Sequence, residues 1–163
     1  MGAITSTITK KIMIVAAAAA VTGLAAACGT STSSPGASAS ASATAGLAQF
    51  KAVATGPEAK KLQADLAVFV KDATSRNLNA TQTDARHVAA DITAWAGAMR
   101  ATAVPSSFQA AKATLLRGLD KMSAGVTKVA DGLHNNNMTQ INQGNAEVEQ
   151  AVTVINQARS QVH

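Results

Sequence analysis

Three ionisable side chains, Asp84, His87 and Asp91, follow one another at spacings of three and four residues. In a helix this spacing places two carboxylates and an imidazole along one face, and these are groups that bind divalent cations. The same face is equally compatible with solvent exposure, where an Asp–His pair contributes only a few tenths of a kcal/mol. Because no second helix offers a further ligand, we favour the solvated face. The three residues are metal candidates only, and the sequence predicts no cofactor.

The sequence lacks the motifs of the common enzyme classes. It contains no HExxH, no phosphate-binding glycine loop, no GxSxG and no Cys/His pair. Acid–base catalysis needs titratable groups that converge in a pocket, whereas the few acidic residues here are scattered over polar faces. The chain is therefore predicted not to be an enzyme.

The only cysteine, Cys28, follows a three-part N-terminal pattern. Lys10 and Lys11 precede an apolar run over residues 12–24, and three alanines separate that run from Cys28. The run is shorter than the ~20 residues that a transmembrane helix needs. A basic segment, a short apolar segment and small residues are typical of an export signal. Residues 1–27 are therefore predicted to be removed.

The segment Leu24-Ala25-Ala26-Ala27-Cys28-Gly29 resembles the lipobox of bacterial lipoproteins. The resemblance implies that Cys28 carries a diacylglycerol thioether, with acyl chains such as palmitate, and that the chain is cut just before it. The family usually has leucine where this sequence has Ala25. Since Ala25 and Ala27 also fit the A-x-A rule for ordinary cleavage, a secreted protein with a free thiol is the alternative. The alanine-rich signal and its polar continuation are similar to those of high-GC Gram-positive bacteria.

Residues 28–56 are predicted to form a tether after the lipidated Cys28. Residues 30–46 consist of Ser, Thr, Ala and Gly with one Pro and no charge, so they cannot build a core. We expect this segment to be disordered, with a single short turn between Leu47 and Val53. The resemblance to lipoproteins covers the signal, Cys28 and this tether.

The remaining residues, 57–163, are predicted to form an all-α, antiparallel up-down four-helix bundle. Apolar residues recur every three or four positions, which indicates helices over residues 57–77, 81–103, 106–133 and 138–162. The connections are short, so sequential helices should be antiparallel neighbours. Asn145 falls in the apolar face of the fourth helix and is expected to be semi-buried. Three glycines recur every seven residues in the third helix and predict the close approach of a neighbour, for which the alanine-rich second helix is the candidate: Gly118, Gly125 and Gly132.

Composition limits the partners. The net charge of +5 becomes +3 once the two signal lysines are removed, and with one Trp, three Phe and no Tyr the chain offers few stacking platforms. Nucleic-acid binding is therefore not predicted.

We expect a lipoprotein anchored to the outer face of the cell membrane, with a non-enzymatic bundle that binds an envelope protein or a cell-wall component. The alternative is a carrier of a metal or a small ligand, including lipid.

Overall fold

A computed structural model describes residues 37–161, with side chains over residues 45–158 and 160–161. This part of the chain is all-α and contains no strand. Five α-helices are formed: α1 (Ala37–Ala54), α2 (Pro57–Thr74), α3 (Leu78–Ala101), α4 (Gln109–His134) and α5 (Met138–Ser160). A short 3₁₀ helix (Ser106–Phe108) precedes α4. The export signal and Cys28 lie outside the described residues, whereas α2 to α5 correspond to the four predicted helices.

The helix ends follow local chemistry. Pro57 occupies the first position of α2 behind an extended Gly56, and Glu58 lies in the first turn, where a negative charge complements the helix dipole. The sequence pattern placed the start of the next helix at Thr81, but the N-cap is Asn77, whose side chain accepts a hydrogen bond from the Ala80 amide. Thr81 is instead fully buried inside α3 and donates its hydroxyl to the Asn77 carbonyl at 2.7 Å.

Helices α2 to α5 are each antiparallel to their neighbour in sequence. Contacts pair Lys61 of α2 with Asp91 of α3, and Arg86 of α3 with Asp131 of α4. One apolar core joins the inner faces of α2, α3, α4 and α5. The largest side chains that are completely buried in it are Phe69, Ile92, Met99, Leu115 and Leu119.

Helix α1 occupies residues for which the sequence predicted a disordered tether with one short turn. Its Gly46 lies against the backbone of Ala103 and Val104, and Trp95 donates its indole N–H to the Val53 carbonyl at 3.1 Å. Phe50 and Val53 pack, partly buried, on the core. The prediction was wrong for this segment, because alanine favours helix and these few apolar side chains fix it to the bundle.

The glycines of α4 form a close contact with α5, not with the second predicted helix. A Cβ atom on Gly125 would lie 2.8 Å from the Gly144 carbonyl oxygen, and one on Gly132 would lie 2.8 Å from the Ile141 amide nitrogen. A Cβ on Gly118 would meet the Ile155 side chain at 2.6 Å. We call this contact the glycine seam (Gly118, Gly125, Gly132 and Gly144). The close approach was predicted correctly, but its partner helix was not.

None of the helices between residues 37 and 161 combines the length and the apolar character that crossing a membrane requires.

Candidate functional site

Four aspartates line the contact between α2 and α3, two from each helix. We call this line the aspartate seam (Asp65, Asp72, Asp84 and Asp91). In each helix the two residues are seven positions apart, so they lie on one face two turns apart. Two of the three metal candidates from the sequence, Asp84 and Asp91, belong to it. The third, His87, is exposed.

Asp91 is held by a lysine at one end of the aspartate seam. The Lys61 Nζ lies 2.6 Å from Asp91 Oδ1 and 2.9 Å from Asp65 Oδ2, so it bridges the two helices. These bonds raise the pKa of Lys61, and the bond from Lys61 lowers the pKa of Asp65. The Asp91 residue is 93 % buried, and burial raises its pKa despite the bond from Lys61. This end of the seam is therefore a structural ion pair between helices.

Asp84 occupies the other end of the aspartate seam without a cation bonded to it. Burial raises its pKa, and the nearby Asp72 carboxyl raises it further. The Oδ2 atoms of Asp84 and Asp91 are both buried and have no hydrogen-bond partner. A buried polar atom without a partner costs about 1–3 kcal/mol. Ionised Asp84 therefore weakens the α2–α3 contact.

The structure does not bring the three metal candidates together. Seven residues of α-helix rise ~10 Å, which is too far for Asp84 and Asp91 to bind one ion. Across the part of the chain that the structure describes, no group of three or more His, Cys, Asp or Glu side chains has the geometry to hold a metal ion. Spacing along one face was therefore insufficient evidence for a site, because it ignored the axial rise.

Asn145 is a polar side chain inside the core. It is 4 % exposed, in agreement with its place in the apolar stripe of the sequence, and neither its amide nitrogen nor its carbonyl oxygen has a hydrogen-bond partner. Its neighbours along the inner face of α5, Ile141 and Val148, are both buried. Burial of this unpaired amide lowers the stability of the fold. Apolar packing alone does not explain why α5 has an asparagine at this position.

A groove of about 460 Å³ runs between α3 and α4 on the outside of the bundle. It is shallow because its walls are mainly small side chains, and it is open to solvent. A hydroxyl pair, Thr93 and Ser123, lies 2.9 Å apart in its lining, and Ser123 also contacts the Ala89 carbonyl at 2.9 Å. Its remaining lining residues are Arg86, Ala90, Ala94 and Thr127. Arg86 is the one titratable side chain in this lining, and the others are alanines and hydroxyl-bearing residues.

No protein-family model, no curated protein and no solved structure matches this chain.

Proposed function

We propose that this protein is a lipoprotein anchored at the outer face of the cell membrane, and that its bundle is a non-enzymatic binding module of the cell envelope. The observation that carries the proposal is the position of Cys28. It is the only cysteine, and it stands where an apolar run ends and a polar segment begins. Two acyl chains on one residue suffice for stable attachment, since each buried methylene contributes ~0.8 kcal/mol.

The ionic contacts of the bundle support a binding role over a catalytic one. Its closest charged side chains are paired with each other between helices, as in Arg100–Asp120 at 3.0 Å and Lys128–Glu147 at 2.5 Å. Acid–base chemistry requires groups that face a substrate. The surface that we assign to a partner is the groove between α3 and α4, and the partner is an envelope protein or a cell-wall component.

Intact-mass spectrometry of the membrane-fraction protein tests the anchor. We expect a chain that begins at Cys28 with the added mass of a diacylglyceryl group. In the Cys28→Ala variant that mass should be absent, and a high-salt wash should remove the protein from the membrane fraction. If the unsubstituted protein is recovered without lipid from the culture medium, it is secreted and the proposal is wrong.

Capture from envelope extracts tests the groove as a docking surface. Ala94→Glu places a charged side chain in the groove, whereas Ala67→Glu makes the same change at an exposed position of α2. We expect the affinity of the first variant for the partner to fall at least 10-fold, about 1.4 kcal/mol, so that it captures less. The second variant should capture as much as the unsubstituted protein. Equal capture by both variants would place the partner elsewhere.

The alternative function, a metal or small-ligand carrier, is tested by calorimetry. Asp91 is engaged by Lys61 and Asp84 lies ~10 Å along the helix from it, so we expect no heat above that of buffer with zinc, copper or nickel. A saturable signal that Asp84→Asn abolishes would favour the carrier.

A further inference from the structure

The end of the bundle that receives the N-terminal segment is defined by three contacts. Gly46 lies against Ala103, Val104 and Pro105 in the connection between α3 and α4. Val53, seven residues on, accepts the bond from Trp95. Helices α1 and α2 therefore run one after the other along α3, in the opposite direction to it. We call the end at residues 102–108 the proximal end, and the end with the turns at residues 75–77 and 135–137 the distal end.

Charge is divided unevenly between these two ends. Antiparallel pairing places residues 45–62, 92–121 and 149–160 in the proximal half, and residues 63–91 and 122–148 in the distal half. The proximal half has eight basic and three acidic residues, whereas the distal half has four basic and six acidic ones. The small net charge of the mature chain therefore conceals a proximal half at +5 and a distal half at −2.

The excess positive charge of the proximal half is available to a partner. Lys60 on α2 and Arg117 on α4 are exposed, and no carboxylate among the described residues pairs with either. The half-buried Lys51 on α1 and Lys121 on α4 are likewise without an ion pair in the described part of the chain. These four cations come from three different helices. They are therefore not confined to a stripe along one helix.

Helix α1 begins at Ala37, nine residues before Gly46, and therefore starts on the proximal side. Cys28 lies nine residues before Ala37, and nine extended residues span at most ~30 Å. A lipid on Cys28 would hold the proximal end near the bilayer. Basic residues gain about 1 kcal/mol each beside an anionic leaflet, and the attraction falls off within the Debye length of ~8–10 Å.

We propose that the proximal half of the bundle docks on the headgroups of an anionic phospholipid bilayer, which leaves the distal end and its aspartate seam facing outward. The orientation rests on the proposed function, because the anchor at Cys28 selects the end. The charge distribution favours a bilayer over a nucleic acid. The free cations of the proximal half are spread over three helices, and the proximal side chains include few aromatic rings for stacking on bases.

Vesicle co-sedimentation of the chain over residues 28–163 with Cys28→Ser tests this docking without a lipid anchor. This chain contains every residue that the structure describes. We expect it to bind phosphatidylglycerol-containing vesicles at low salt, to dissociate at high salt and to leave pure phosphatidylcholine vesicles unbound. Equal binding to both vesicle types, or none to the anionic ones, overturns the proposal.

Two matched double variants test which half binds. Lys60→Gln with Arg117→Gln removes two exposed proximal charges, and Lys71→Gln with Arg76→Gln removes two exposed distal charges. We expect the proximal pair to weaken binding 10- to 30-fold, from about 1 kcal/mol per basic residue, and the distal pair less than 3-fold. Circular dichroism and melting temperature serve to show that both variants fold. Equal losses would mean that only net charge matters, and would overturn the orientation.

A competition arm separates the bilayer from a soluble polyanion. If polyphosphate displaces the protein from vesicles at a phosphate concentration below that of the lipid, the preferred partner is a linear polymer and the proposal fails. The intact-mass experiment on Cys28 remains independent of these results. Vesicle binding without lipidation would leave a peripheral protein, whereas lipidation without vesicle binding would leave an anchored bundle with no preferred face.

Discussion

Asp84 shows at the scale of one residue how burial and a like charge act together. Burial raises its pKa and the Asp72 carboxyl raises it further, so the folded protein retains this proton at a pH where the unfolded chain has lost it. Ionised Asp84 therefore destabilises the fold above its folded pKa. This cost disappears as the pH falls from there toward the ordinary value of 3.8. The pKa shift of Asp65 has the opposite sign, because Lys61 lowers it. Ionised Asp65 therefore stabilises the fold, and this stabilisation is lost only as the pH falls through the lowered pKa.

Asp84→Asn should stabilise the protein at neutral pH. The neutral amide removes the buried charge and the repulsion from Asp72, so the free energy of unfolding should rise by about 1 kcal/mol at pH 7. Below pH 3.8 the gain should vanish, because Asp84 is then protonated in both states. Urea unfolding at both pH values measures the difference.

Asp120→Asn is the matched control for this substitution. Asp120 is exposed and paired with Arg100, so the control should lose no more than ~0.5 kcal/mol at pH 7. If Asp84→Asn raised the free energy of unfolding by the same amount below pH 3.8 as at pH 7, the charge of Asp84 would not be the cause.

The sequence predicted whether a single residue is buried when its position on a helical face decides its burial. The apolar stripe correctly placed Asn145 inside, because burial follows the period of the helix. The ion pair between Lys61 and Asp91 was not predicted, since it joins residues 30 positions apart. Only the relative placement of two helices reveals such a pair.

The α4–α5 pair is the closest contact between two elements of the bundle. Gly125 and Gly144 face each other, and a Cβ on Gly144 would lie 2.6 Å from the Gly125 carbonyl oxygen. Glycine inside a helix costs ~1 kcal/mol relative to alanine. The close packing along the glycine seam therefore offsets the loss of helix propensity at each of its four glycines.

Gly125→Ala and Gly97→Ala should change stability in opposite directions. A Cβ at Gly125 meets the Gly144 carbonyl oxygen at 2.8 Å, so the helices must separate and about 1–3 kcal/mol should be lost. A Cβ at Gly97 has nothing within 4 Å, so this variant should gain about 0.5–1 kcal/mol from helix propensity. Chemical unfolding of the two variants under one condition makes the comparison. A stabilised Gly125→Ala variant would show that the seam tolerates a wider spacing.

At the level of elements, the sequence predicted the helices and the glycine-lined face but not the neighbour on that face. Periodicity defines which side of a helix is buried, and it does not define which helix covers that side. Gly144 is the only glycine in α5, but α3 also has a single glycine, Gly97. The glycines alone therefore did not identify the neighbour of α4.

Over residues 37–161 the molecule consists of a four-helix bundle and one additional helix, α1, that precedes it. The predicted order of the four bundle helices was correct, because each has a strong apolar period. Helix α1 was missed because its first half is an alternation of alanine with serine or threonine that shows no apolar face. Its docking depends on Phe50, Val53 and the bond to Trp95, which a local pattern does not reveal.

Two truncated chains should separate the contribution of α1 from that of the N-terminal segment. A chain that begins at residue 45 keeps the contacts of Phe50 and Val53, so it should be as stable as the chain from residue 28, within about 0.5 kcal/mol. A chain that begins at residue 57 loses those contacts and the acceptor of Trp95, and its free energy of unfolding should fall by about 2–3 kcal/mol. Urea unfolding measures the differences. Equal stability of all three chains would mean that α1 does not pack on the bundle in solution.

The bond between Trp95 and the Val53 carbonyl has a mechanical consequence. A pulling force applied to the chain before residue 37 reaches α1 before any other helix of the described residues. It would act first on this bond and on the two apolar side chains beside it. The α4–α5 pair lies later in the chain and is held by closer packing along the glycine seam. Under tension the molecule would therefore lengthen by releasing α1 while the rest of the bundle stays folded.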